Sequence, residues 1–311
     1  MRAFHGRRFL GICLLSILGL ILLTPTPSLA VIEHDDLTGV KVAMYTGAGV
    51  MISSRTALTR MFEWMNATVQ EVNATQILDD CLDDYDILVI PGGSETTCAS
   101  ELQYFTGVEK IKDFVSNGGS YFGICGGATY GATYVYFFNG SMHPVSEPGS
   151  LIHITTMNVN QASTGPDLSD CTANISTMYY GSQYFSPREG ADVHIVATYD
   201  YNDEAGMVAF EYENGTVFLS SPHPEYEEGT DRDDTSFCDY LNDPDSEWDL
   251  LLRVSKWLVE ASYVESSGPS TSTPTTPLPA SNLDLTMIAT VSLGGVIVVL
   301  TAVVLYRRVH S

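Results

Sequence analysis

The sequence predicts an α/β protein built on a sheet wound on both faces. Strand-length apolar runs alternate with amphipathic helical stretches. The runs are apolar at consecutive rather than alternate positions, as strands covered on both faces must be. "VKVAMYTG", residues 40–47, is the first such strand and ends at a glycine turn. Residues 53–65 follow as a helix, with Leu58, Met61, Phe62 and Met65 on one face and Ser53 or Ser54 as its cap. "YDILVIPGG", 85–93, is the second strand, and 108–119 is a helix with Val108, Ile111, Phe114 and Val115 on one face, ended by Asn117-Gly118-Gly119. "SYFGIC", 120–125, is the third strand, and "GGATYGATYV" starts a helix. The later half is richer in strands, at 192–200, 206–213 and 215–222, before a last helix over 246–261. Trp248, Leu251, Leu252, Val254, Ser255 and Leu258 lie near the buried side of that helix.

The two ends carry different signals. Arg2, Arg7 and Arg8, the apolar run Phe9 to Leu23, and small residues at Ser28 and Ala30 read as an export signal over 1–30. Residues 285–306 are almost wholly apolar and long enough to span a bilayer, and Arg307 and Arg308 place the 307–311 tail in the cytoplasm. A stalk rich in Ser, Thr and Pro occupies 264–284, which leaves a folded body over 38–263. The expected protein is single-pass, anchored in the cell membrane through its C-terminal helix, with its bulk outside the cell.

The formal charge of −24 excludes nucleic acid as a partner. Within the acidic stretch 224–247, Asp231, Asp233 and Asp234 could hold a calcium ion, but without EF-hand spacing a solvated loop is the expectation. His143, His153 and His194 share no ligand spacing, so no metal site and no cofactor are expected. Of six cysteines, Cys13 leaves with the signal. Five remain, and an odd count in an exported protein suggests disulfides plus one free thiol, for which Cys125 is the candidate. Cys81–Cys98 with Cys171–Cys238 is one of the three connectivities open to the other four. Sequons at Asn66, Asn73, Asn139, Asn174 and Asn214 fit a glycoprotein.

Open α/β sheets carry their sites at the C-terminal ends of strands. Three such ends stand out: Gly92-Gly93, Cys125 and His223-Pro224-Glu225. Gly123-Ile124-Cys125-Gly126-Gly127 has the spacing of a nucleophile elbow at a strand-to-helix turn, where larger neighbours would clash and the helix N-terminus favours a thiolate. The bland alternative is a buried cysteine in a glycine-rich turn. His223 could take the thiol proton, Glu225 could hold the imidazole, and N–H groups at Gly92, Gly93 and Gly126 would face a developing oxyanion. Tyr130 and Tyr180 could line the pocket.

The order PGG, G-x-C-x-G, HPE resembles class I glutamine amidotransferase-like domains, and over about 40–260 the chain looks most like the N-terminal domain of some biotin–protein ligases. The resemblance implies a flavodoxin-like doubly wound fold and a triad of Cys125 as nucleophile, His223 as base and Glu225 as orienter. It departs from the amidotransferases at Thr129, where they usually carry glutamine. The implied function is an exported thiol amidohydrolase acting on a small-molecule or peptide amide. The alternative is a surface domain that binds a ligand without catalysis. Ammonia transfer to a partner enzyme is a third reading, disfavoured outside the cell.

Overall fold

The computed structural model describes residues 36–145, 150–227 and 231–267. The expected export signal, transmembrane span and tail, and most of the stalk, lie outside them. Among the described residues no helix is long and apolar enough to cross a membrane.

The elements follow in chain order: β1 (Lys41–Tyr45), α1 (Ile52–Trp64), β2 (Thr68–Val72), α2 (Ala74–Leu78), β3 (Ile87–Ile90), α3 (Glu95–Glu101), α4 (Phe105–Ser116), β4 (Ser120–Ile124), α5 (Gly126–Thr133), β5 (Gly140–Pro144), β6 (Ile152–Val159), β7 (Asn174–Tyr180), β8 (Gln183–Pro187), β9 (His194–Tyr199), β10 (Ala205–Tyr212), β11 (Gly215–Ser220) and α6 (Trp248–Ser267). All the strands join one sheet, with the main order β2-β1-β3-β4-β11-β10-β9-β6-β7. The segment from β2 to β11 is parallel. From β11 onward the sheet turns antiparallel, through β10, β9, β6 and β7.

The parallel strands are apolar throughout because both their faces are covered. On one face Val42, Met44, Val89 and Phe122 meet Leu58, Met61 and Phe62 of α1 and Trp248, Leu251, Val254 and Leu258 of α6. Phe122 sits at the centre, 5.2 Å from the Phe62 ring and 4.8 Å from Phe218. On the other face Ala43, Leu88, Ile90 and Tyr121 meet α3, α4 and α5 through Ala99, Ile111, Val115 and Ala128. The Thr216 hydroxyl, buried on β11, donates to the α6 carbonyl of Leu258 at 2.8 Å and so fixes the helix on the sheet.

Three expectations are corrected. The cysteines Cys81, Cys98, Cys125, Cys171 and Cys238 are all free thiols. Cys171 packs against one core cluster and Cys238 belongs to another, while Cys98 is buried next to Tyr45. Neither Ser53 nor Ser54 caps α1: the cap position is Met51, without a side-chain bond. The acidic stretch is fastened at several points, while Asp234, Asp239 and Asp245 stay exposed. Arg60 pairs with Asp234 at 2.6 Å, and Arg232 lies 4.1 Å from the Trp248 ring while its Nη2 reaches Glu227 at 2.6 Å. Asp233 is buried and accepts the N–H groups of Glu227 and Thr235, and burial raises its pKa to about 6. Its oxygens are thus committed to the backbone, which argues against the calcium cage considered from sequence.

Candidate active site

Strand β4 is buried along its whole length and stops at Ile124. Cys125 then adopts φ 49° and ψ −110°, a left-handed bend that a side chain rarely tolerates, and α5 starts at the next residue. The bend is held on both sides. The Cys125 N–H donates to Ser220 O of β11 at 2.7 Å, and the Cys125 carbonyl accepts the Thr129 N–H at 2.9 Å. Glycine follows because the next turn is packed tight: a Cβ at Gly126 would run into the Gly93 carbonyl.

The histidine arrives from the neighbouring strand. β11 ends at Ser220, and three residues on the His223 N–H donates to Met178 O of β7 at 2.9 Å. His223 and Glu225 are both 0 % exposed, whereas Cys125 is half-buried. The His223 Nδ1 lies 2.8 Å from Glu225 Oε1. A carboxylate only accepts, so Nδ1 carries the proton, and Nε2 is buried without a hydrogen-bond partner among the described residues. The ring also fills the space over the glycine turn, since a Cβ at Gly92 would lie 2.6 Å from its Cε1.

Electrostatics couples the pair. Burial pushes the Cys125 thiol up, but the charge of the nearby His223 and the Gly126 N–H outweigh it, and the thiol pKa ends below its ordinary value. Burial likewise pushes His223 down, and the nearby Glu225 carboxylate and the Cys125 sulfur reverse this, holding the imidazole well above its ordinary value. The two shifts favour the same state, a thiolate beside an imidazolium.

Sequence reasoning missed two supports of this corner. The Ser54 hydroxyl donates to Glu225 Oε1 at 2.7 Å and accepts the Gly92 N–H at 2.9 Å, joining the carboxylate to the glycine turn. The signal was there to read: Ser54 is a polar residue on the same helical stripe as Leu58, Met61 and Phe62. The second support is Trp248, whose indole N–H donates to Glu225 O at 3.0 Å. The Ser54 bond also corrects the expectation for Gly92, whose N–H is already spent. Of the three N–H groups expected at an oxyanion, those of Gly93 and Gly126 remain. Gly93 donates to no acceptor among the described residues, and its turn is clamped by Met51 N–H to Gly92 O at 2.8 Å and Ser94 N–H to Gly49 O at 2.7 Å.

Aromatic rings close the other side. Tyr226 and Tyr180 lie 5.6 and 6.1 Å from the His223 ring, and Phe237 packs on both tyrosines at 5.3 and 6.3 Å. Tyr180 therefore sits at the site, as expected. Tyr130 does not: it is buried among the residues of the opposite sheet face, stacked on Tyr134 at 5.8 Å.

The strand order gives a mixed α/β domain with a central sheet, similar to glutamine amidotransferase folds. More specifically, residues 40–151 match the family described as "Biotin-protein ligase, N terminal", as the motifs implied. The matched stretch holds Gly92, Gly93, Cys125 and Gly126. The chain is 25 % identical over 214 residues to a biotin–protein ligase of Schizosaccharomyces pombe, covering 60 % of this chain and 33 % of that protein. It is 29 % identical over 161 residues to an uncharacterized protein of Chlamydia muridarum, covering 45 % of this chain and 60 % of that one. The chain thus spans a third and three-fifths of these relatives. Similar solved structures include a glutamine amidotransferase from Thermotoga maritima, at 15 % identity over 73 % of this chain and 91 % of that one, with a TM-score of 0.48. Another, from Methylobacillus flagellatus, is 16 % identical over 74 % of this chain and 94 % of that one, with a TM-score of 0.45.

Proposed function

We propose that the domain is a thiol amidohydrolase with Cys125 as nucleophile, His223 as general acid and base, and Glu225 as its orienter. One observation carries the reading: a thiol on a strained bend meets a buried imidazole backed by a buried carboxylate. Strain of this kind costs on the order of 1–3 kcal/mol and persists where position matters.

The Cys125 thiolate attacks the amide carbonyl carbon, and the π electrons move onto oxygen beside the Gly93 and Gly126 N–H groups. On collapse, His223 Nε2–H protonates the departing nitrogen, which leaves as an amine or ammonia, and a thioester remains. Neutral His223 then deprotonates a water that attacks the thioester. The acid is released, and proton and thiolate are restored to the pair. Glu225 holds Nδ1–H throughout.

The domain acts outside the membrane in this proposal, tethered by residues 285–306. The terminal apolar runs support that placement, as does the exposure of all five sequon asparagines.

The test is release of amine from a panel of aminoacyl and peptidyl coumarylamides by the purified domain. Turnover that vanishes in Cys125→Ala supports the proposal, and turnover that survives it contradicts it.

A further inference from the structure

The site opens to solvent along one wall. Cys125, Thr129, Tyr180 and Gln183 are half-buried, while His223, Glu225 and Ser54 behind them are fully buried. The start of α5 and two strand ends build that wall. Thr129 lies one helical turn beyond Cys125 and is tied to it by the backbone bond already described. Tyr180 ends β7 beside the His223 ring. Gln183 begins β8, and its side-chain Nε2 reaches across to Thr129 Oγ1 at 3.3 Å.

Gln183 is fixed at both backbone ends. Its N–H donates to the Ser221 hydroxyl at 2.6 Å, two residues before His223, and its carbonyl accepts from the Tyr199 hydroxyl at 2.9 Å. The side chain is therefore anchored to the histidine strand and spans to the cysteine helix. Nε2 points at the Thr129 oxygen, so the wall offers the Thr129 O–H as a donor and Gln183 Oε1 as an acceptor. One donor beside one acceptor is the complement of an amide group. None of the four wall residues is a cation. Arg55, Arg60, Lys110, Arg232 and Arg253 have their ion-pair or ring partners elsewhere on the molecule.

We infer that Thr129 and Gln183 form a specificity subsite that selects neutral, peptide-like acyl groups. The amide that is cleaved would carry a second amide on its acyl side, held by this pair and flanked by the Tyr180 ring. A free amino-acid amide, whose α-carboxylate would need a cation, is disfavoured. The inference rests on the proposed nucleophile, Cys125, and Thr129 and Gln183 set specificity without touching the proton transfers.

Three reagents separate the possibilities on the intact protein. Iodoacetamide offers the wall an amide, iodoacetate a carboxylate, and methyl methanethiosulfonate neither. The readout is the ratio of iodoacetamide to iodoacetate rates at Cys125, compared between the natural protein and Gln183→Leu, which leaves the charge unchanged, so that the acidic field of the chain cancels to first order. The expected result is a fall in this ratio of about tenfold in Gln183→Leu, the worth of one lost hydrogen bond. The thiosulfonate rate is expected to stay unchanged, which reports a folded protein with its thiolate intact. A ratio unmoved in Gln183→Leu overturns the subsite and leaves the nucleophile standing. A Cys125 inert to all three reagents overturns the nucleophile, and the subsite with it.

Discussion

Alkylation of Cys125 by iodoacetamide at about pH 6 falls by at least about tenfold when His223 is replaced by alanine. An ordinary thiol of pKa ~8.5 is only about 0.3 % thiolate at that pH. In the folded protein, burial opposes ionisation of Cys125 and the imidazolium overrides it. Removing His223 leaves burial and the Glu225 carboxylate, and both push the thiol up. The variant therefore reacts no faster than an ordinary thiol. Part of the natural advantage is offset, because a thiolate of lower pKa is a weaker nucleophile, with a Brønsted slope of roughly 0.4–0.5. The sign is fixed by the shifts. The natural protein's rate therefore levels off at lower pH than the variant's, because its thiol ionises below the ordinary range. Stopped samples analysed by intact mass give both profiles, and parallel profiles would contradict the pairing. Far-ultraviolet circular dichroism checks that the variant is folded.

The largest stability effect is expected at Trp248. The side chain is fully buried, lies 5.7 Å from the Trp64 ring, carries Arg232 on its face and bonds the Glu225 carbonyl. Trp248→Ala is expected to cost about 3–5 kcal/mol, a large part of the roughly 5–15 kcal/mol that holds a domain folded. For a domain of this size each kcal/mol lowers Tm by about 2–4 °C. Trp248→Phe keeps most of the packing and removes only the donor. It leaves the buried Glu225 carbonyl short of a partner, for about 1–3 kcal/mol. It is also expected to slow Cys125 alkylation, because the orienting carboxylate belongs to the same residue. Calorimetry with the alkylation assay checks both effects. A Phe variant that melts and reacts like the natural protein would detach Trp248 from the site.

The parts of this fold that could be read from sequence are those where one physical requirement dominates. β1, β3, β4 and β11 are buried on both faces and so are written as unbroken apolar runs. The elbow could be read because close backbone forces its glycines: a Cβ would meet the Gly93 carbonyl at Gly126, the Ile90 carbonyl at Gly127 and the Gly127 carbonyl at Gly123. β2 was missed because it is an edge strand, mostly exposed, and its "TVQEV" carries polar side chains. β5 is almost wholly exposed and shows no strand-like apolar run. The antiparallel β6 and β7 mix buried with half-exposed positions, so their pattern is weaker.

The site divides in the same way. Cys125, His223 and Glu225 stand at predicted strand ends within short motifs. Ser54, Trp248 and Gln183 act through contacts between residues from 23 to 171 positions apart in the chain, which no local pattern encodes. The disulfides expected from cysteine parity failed for a related reason. Parity counts thiols and not their positions: Cys171 and Cys238 pack in different clusters, while Cys81 and Cys98 pack in the same one and are still free.

The central claim, a thiolate held beside an imidazolium at Cys125 and His223, is tested most directly by titrating the ultraviolet absorbance of the thiolate as the difference between the natural protein and Cys125→Ser. The account predicts a transition below the ordinary thiol value of ~8.5 that moves upward in His223→Ala. A transition at or above that value, unmoved by the loss of His223, would contradict it.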